Sequence, residues 1–144
     1  MKNANGKCLS AVKFDSPDSN HTINQWDCGQ SGYDQLWSWN ETISGSKNRH
    51  LCNANKKCVA SWFNLKQNIV LLEWEHSEEN SQRFTFFNVD TNGYSMIKND
   101  YGKCLGIEKK SKANVESSAW ALDCNSSDSG QRWKWQPHNS GKWQ

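Results

Sequence analysis

No stretch of this chain stays apolar for long. The longest apolar run, Ile69 to Leu72, is strand-sized and far short of the roughly 18 residues a membrane span needs. Membrane insertion by this domain is therefore not expected. One-sided charge is also lacking: 17 basic residues stand against 15 acidic ones, for a net charge of +2. That balance demands neither a nucleic-acid nor a membrane partner. No segment carries a sustained 3.6-residue apolar period, which argues against a helical domain. No signal peptide is visible, since Met1 runs straight into the polar Lys2-Asn3-Ala4-Asn5. The chain reads as a mature domain or a fragment with an added start Met. No linker composition divides its 144 residues, so a single domain over 1–144 is expected.

Catalytic signatures are missing as well. The four histidines, His21, His50, His76 and His138, are scattered without metal-ligand spacing. No phosphate-cradling glycine motif occurs. Glu73, Glu75, Glu78 and Glu79 cluster, but Glu73 and Glu75 read as the polar face of a strand, with the other two in the loop after it. The expectation is a non-enzyme without cofactor or metal.

What is abundant is Trp, with nine copies, and Cys, with six. An even cysteine count in a short chain points to three disulfides and an oxidising compartment. Asn20-His21-Thr22, Asn40-Glu41-Thr42 and Asn125-Ser126-Ser127 match the N-glycosylation pattern. The abundance of Asn, Ser and Thr makes about that many matches expected by chance.

Three phrases align along the chain: Asn3-Ala4-Asn5-Gly6-Lys7-Cys8-Leu9, Asn53-Ala54-Asn55-Lys56-Lys57-Cys58-Val59 and Asn99-Asp100-Tyr101-Gly102-Lys103-Cys104-Leu105. Each is followed by a closing phrase of the form Gln-x-aromatic-x-aromatic. These are Gln35-Leu36-Trp37-Ser38-Trp39, Gln82-Arg83-Phe84-Thr85-Phe86 and Gln131-Arg132-Trp133-Lys134-Trp135. A third anchor lies between them: Trp26-Asp27-Cys28, Trp74-Glu75-His76 and Leu122-Asp123-Cys124. Several independent anchors recurring with one period indicate an internal repeat, with copies over about 1–46, 47–92 and 93–144. Alternation as in Gln-x-Trp-x-Trp is the period of a strand. Asn5-Gly6, Ser31-Gly32, Asn92-Gly93, Tyr101-Gly102 and Ser129-Gly130 mark turns.

Repeat symmetry also pairs the cysteines. Cys8 to Cys28 and Cys104 to Cys124 have the same spacing in two copies. In the second copy His76 stands where the partner would be, so Cys58 is left to Cys52. Every thiol then has a partner, and none is left as a nucleophile. By loop-closure entropy each long bridge is worth about 3 kcal/mol and the short one about 2 kcal/mol.

Three such units, each with Cys-Leu or Cys-Val near its start, a Trp-x-Cys-like middle and a Gln-x-Trp-like end, resemble the ricin-type (R-type) β-trefoil lectins over nearly the whole chain. Lys103-Cys104-Leu105-Gly106-Ile107 and the last closing phrase are also similar to the cysteine-rich domains of mannose-receptor-like proteins. The resemblance implies an all-β fold: a β-trefoil with three pseudo-symmetric repeats, a six-stranded barrel capped by three hairpins. It implies an extracellular lectin, secreted or on the outer face of a membrane receptor. Its partners would be glycans of galactose/GalNAc type or sulfated sugars. It places the Gln-x-Trp aromatics in the core rather than against a ligand.

In that family a lobe site takes an acidic residue two positions after the first Cys and an aromatic two before the second. It adds an Asn or Asp just before the Gln of Gln-x-Trp. The acidic position here holds Ser10, Ala60 and Gly106, a departure in every copy that weighs against ordinary galactose binding. The first copy keeps Trp26, Asp34 and Gln35, and Asp15 or Asp18 in the following loop could replace the lost carboxylate. The second keeps Trp74 and has Ser81 before its Gln. The third has Leu122 at the aromatic position, with Trp120 two residues earlier. Its first loop carries Lys109, Lys110 and Lys112, suited to a sulfated sugar with Trp120 beneath the ring. The competing expectation is a protein-interaction scaffold whose sugar sites have decayed.

Overall fold

The structure is a computed structural model, described here for residues 1–12, 23–29, 33–41, 49–53, 56–63, 69–75, 82–107 and 119–136. Among these residues there is no α-helix. The first repeat contributes β1 (Lys2–Asn3), β2 (Cys8–Val12), β3 (Ile23–Trp26), a short β4 (Tyr33–Asp34) and β5 (Trp37–Glu41). The second contributes β6 (Arg49–Asn53), β7 (Lys57–Phe63), β8 (Ile69–Glu75) and β9 (Phe84–Phe87). The third contributes β10 (Met96–Asn99), β11 (Cys104–Ile107), β12 (Ala119–Leu122) and β13 (Trp133–Lys134), with a 3-10 turn at Ser129–Gln131.

The pairing is that of a trefoil. The last strand of each repeat pairs antiparallel with the first strand of the next: β5 with β6, β9 with β10, and β13 back with β1. Within a repeat, β6 also pairs β9, and Ser95 bridges to Trp133. These six strands make the barrel. The middle strands form the hairpins β2–β3, β7–β8 and β11–β12, and β12 pairs β8 where two hairpins meet.

The core repeats threefold because the sequence does. Met1, Leu51 and Ile97 are buried at one equivalent position; Leu9, Val59 and Leu105 fill a second; Trp37, Phe84 and Trp133 fill a third. The second aromatics of the closing phrases, Trp39, Phe86 and Trp135, are partly buried against this core. Phe86 stands 4.4 Å from Trp39 and 6.2 Å from Trp135 between ring centroids. Burying a side chain of this size contributes roughly 2–3 kcal/mol.

The opening phrase is a turn built on its Asn. Asn3 Oδ1 accepts from the amides of Asn5 and Lys7, Asn99 Oδ1 from those of Tyr101 and Lys103, and Asn53 Oδ1 from that of Lys57. The turn needs a left-handed residue. Gly6 and Gly102 supply it at φ of 84° and 78°, and Lys56 adopts it at 63° without being a glycine. The three disulfides are Cys8–Cys28, Cys52–Cys58 and Cys104–Cys124, as repeat symmetry requires.

Candidate functional site

Each Gln-x-Trp phrase locks a hairpin to the barrel. Gln35 Nε2 donates to Asp27 O, and its Oε1 accepts from Gly29 N. Gln131 does the same to Asp123 O and Asn125 N. The indole N–H two residues on donates to the second strand: Trp37 to Leu9 O and Trp133 to Leu105 O. Buried donors need acceptors, so these side chains are committed to the fold. Sequence reasoning placed the aromatics inside but missed the clamp that their Gln and N–H groups form.

The position that carries the acid in related lectins faces inward. Ser10 is fully buried; its hydroxyl donates to Cys8 O and accepts from Gln35 Nε2 at 2.9 Å. A Cβ at Gly106 would lie 2.8 Å from Gln131 Cγ and 2.9 Å from Leu122 Cδ1. A carboxylate at 106 would have to displace the clamp itself. Of the proposed sugar contacts, Ser10 and Gln35 therefore have their polar groups taken up inside the first lobe.

Trp26 ends β3 opposite Cys8 and is partly exposed. The turn that follows it is held by Gln35, with Gly29 at φ 85°. Asp34 lies in β4 opposite Ala11, the residue next to Ser10 on β2. Trp26 thus stands at the root of the β2–β3 hairpin, opposite Cys8, while Asp34 pairs three residues further along β2, at Ala11, and Ser10, bonded to Gln35, lies between those two positions. Trp74 lies opposite Cys58, the equivalent of Trp26, one residue before the end of β8. Trp120 lies opposite Gly106, two pairs further along its hairpin than the equivalent position at Leu122. It is partly exposed, and its indole Nε1 is buried with no hydrogen-bond partner among the described residues. Asp15, Asp18, Lys109, Lys110 and Lys112 lie outside the described residues, as do Ser81 and His76.

Exposed ion pairs mark the hairpin roots. Lys7 binds Asp27 and Lys103 binds Asp123. The Lys103 hydrogen bond and charge hold the Asp123 carboxyl below the usual carboxylate range. On the third repeat's entry turn, partial desolvation works to raise Asp90. The amides of Tyr94 and Asn92 and the charge of Arg132 outweigh it and hold that carboxyl low. Of the glycosylation patterns, Asn40 lies in β5, Asn125 is exposed on the turn after Cys124, and Asn20 lies outside the described residues.

The sequence model of the ricin-type β-trefoil lectin domain matches residues 1–137. The chain belongs to the ricin-type β-trefoil lectin family. Membership implies carbohydrate binding by a fold that is not itself catalytic. No curated protein sequence matches the chain. Among solved structures the lectin domain is similar to the designed 3-fold symmetric protein ThreeFoil, with a TM-score of 0.72, 17% identity and 93% of both chains covered. It is similar to an exo-β-1,3-galactanase from Clostridium thermocellum, with a TM-score of 0.72 and 20% identity, covering 93% of this chain and 28% of that one. It is also similar to a Polyporus squamosus lectin bound to the epitope Neu5Aca2-6Galb1-4GlcNAc. There the TM-score is 0.60 and identity 10%, with 90% of this chain and 48% of that one covered. At these identities the likeness is one of fold.

Proposed function

We propose that this domain is an extracellular glycan-binding module whose principal neutral-sugar site is the first lobe. Trp26 supplies the plate for the apolar face of a galactose- or GalNAc-type ring, and Asp34 supplies the acceptor for its hydroxyls. The observation that carries the reading is Trp26 itself: a large aromatic left partly exposed at the root of a hairpin, while Trp37 and Trp133, the first aromatics of the Gln-x-Trp phrases, are buried. Sugar sites use such a plate with a few fixed polar groups. Ser10 and Gln35 act beneath it by fixing the hairpin rather than by touching sugar. The three disulfides suit a secreted protein or the outer face of a membrane receptor.

Two lesser sites accompany it. Trp74 is the corresponding plate of the second lobe. In the third, the charges of Lys109, Lys110 and Lys112 together with the ring of Trp120 favour a sulfated sugar. The inward Ser10 and the packed Gly106 favour a second reading, a scaffold trefoil that recognises protein rather than glycan. An array carrying neutral galactosides, GalNAc glycans and their sulfated forms separates these readings. Binding to neutral galactosides that vanishes in Trp26→Ala supports the first-lobe site. Silence across the whole array leaves the scaffold.

A further inference from the structure

The three barrel seams where one repeat meets the next are equivalent, and one of them is unlike the others. At the first seam the corresponding pair is Ser38 with the buried, disulfide-bonded Cys52, and at the second it is Thr85 with Lys98. At the third, where β13 returns to β1, Lys2 stands directly opposite Lys134. Like charges facing each other across a strand pair are destabilising. The other two seams show that the fold does not require them.

The two lysine stems diverge. Lys2 Cε passes beside the Gly6 turn, 3.9 Å from where a Cβ there would lie. Lys134 Nζ turns the other way, over the Tyr94 ring at 4.7 Å from its centroid. On the next strand, β10, Lys98 is exposed and stands over Phe87 at 5.0 Å. Tyr94 lies just before β10, which carries Lys98. Arg132 also lies on this wall, half engaged by Asp90 at 3.3 Å. Asp90 is the one carboxylate paired with a wall cation among the described residues. The wall is thus a row of cations, each lysine on β10 and β13 backed by an aromatic ring, in a chain whose total charge is nearly balanced.

We infer that the β1–β13–β10 wall, with Lys2, Lys134 and Lys98 as its cations, binds a linear sulfated polysaccharide. Ammonium groups spread along a wall match sulfates spread along a chain. Tyr94 and Phe87 offer apolar faces to the sugar rings between them. This surface lies on the barrel rather than on the β2–β3 hairpin, so the inference stands apart from the first-lobe site.

The test is retention on immobilised dextran sulfate, with plain dextran as the uncharged control, across a salt series. Three proteins are compared: the wild type, Lys2→Gln/Lys98→Gln/Lys134→Gln, and Lys109→Gln/Lys110→Gln/Lys112→Gln. These changes neutralise lysines without removing core side chains, and a thermal melt checks that each variant folds. The wild type is expected to bind dextran sulfate and not dextran, weakening steeply with salt. The wall variant should lose roughly tenfold or more in affinity near 0.1 M salt, with a shallower salt slope. The loop variant removes as many charges, at lysines assigned a sulfated sugar of their own, so it is the charge-matched comparison and should lose clearly less than the wall variant. Trp26→Ala should bind dextran sulfate as the wild type does, so failure of the neutral-sugar site is read separately. No retention of the wild type, a wall variant that binds unchanged, or a loop variant that loses the most would overturn the inference. Tighter binding to single-stranded DNA than to dextran sulfate would overturn the ligand assignment.

Discussion

Gln35 gives a hydrogen bond from Nε2 to the buried hydroxyl of Ser10, 2.9 Å away. The residue that replaces the family's acid is therefore joined to the residue that closes the lobe. The same joint in the third repeat is made by contact alone, with Gln131 packed where a Cβ on Gly106 would stand. The absent carboxylates thus belong to a rebuilt hairpin root, and restoring them should not restore a site.

Ser10→Asp should therefore destabilise the domain. The substitution places a carboxylate where the hydroxyl now donates to Cys8 O, and a buried group without its partner costs about 1–3 kcal/mol, more when charged. Gly106→Ala should cost a similar amount, about 1–3 kcal/mol, through overpacking against Gln131 and Leu122. Chemical denaturation measures both. Tighter galactose binding by Ser10→Asp would show that the position can face solvent after all.

Trp37 and Trp133 should behave as core residues with a polar duty. Trp37→Ala is expected to cost about 3–5 kcal/mol. Trp37→Phe, which keeps most of the ring but leaves Leu9 O without its donor, should cost about 1–3 kcal/mol. The second repeat already uses Phe84 at this place, so Phe84→Trp offers the reverse test at the same denaturation midpoint.

Much of this was legible in the sequence, and the reason is repetition. Three aligned phrases located the strands, the buried aromatics and the cysteine pairs, because each phrase performs the same task three times. The outward reach of the opening Asn was not legible, since it differs between copies. Asn3 Nδ2 donates to Gln25, whereas Asn99 Nδ2 reaches Ser61 in the neighbouring repeat. Position 121 in the third copy is Ala, which offers no acceptor, and the donor goes elsewhere. The Lys2–Lys134 apposition was hidden for another reason: it joins the two ends of the chain, and only barrel closure brings them together. Counting residues after a cysteine identified Ser10 but could not tell that it faces inward.

Lys56→Gly should stabilise the domain. Lys56 holds φ 63° at a turn position where both other repeats use glycine. Relief of the left-handed penalty, about 1–2 kcal/mol, is offset by the greater freedom of an unfolded glycine, leaving a gain of up to about 1 kcal/mol. A rise in melting temperature checks it.

Acid should weaken the domain through Asp90 and Asp123. Both carboxyls sit below their ordinary values in the folded protein. Their contribution is present above the unfolded carboxylate pKa of about 3.9 and is lost as pH falls through the lower folded values. Asp90→Asn should melt below the wild type at pH 6, and the gap should close as pH falls below about 4. A gap that stays constant to pH 2 would remove Asp90 from the acid limb.

The central claim is that this ricin-type domain divides its tryptophans between ligand and core, with Trp26 on the ligand side. The most direct measurement is a titration of wild type and Trp26→Ala with the best neutral glycan from the array, alongside the melting temperature of each. Trp26→Ala should lose about 1–3 kcal/mol of binding and keep a melting temperature close to the wild type. A Trp26→Ala protein that binds the glycan unchanged while unfolding as readily as Trp37→Ala would contradict the account.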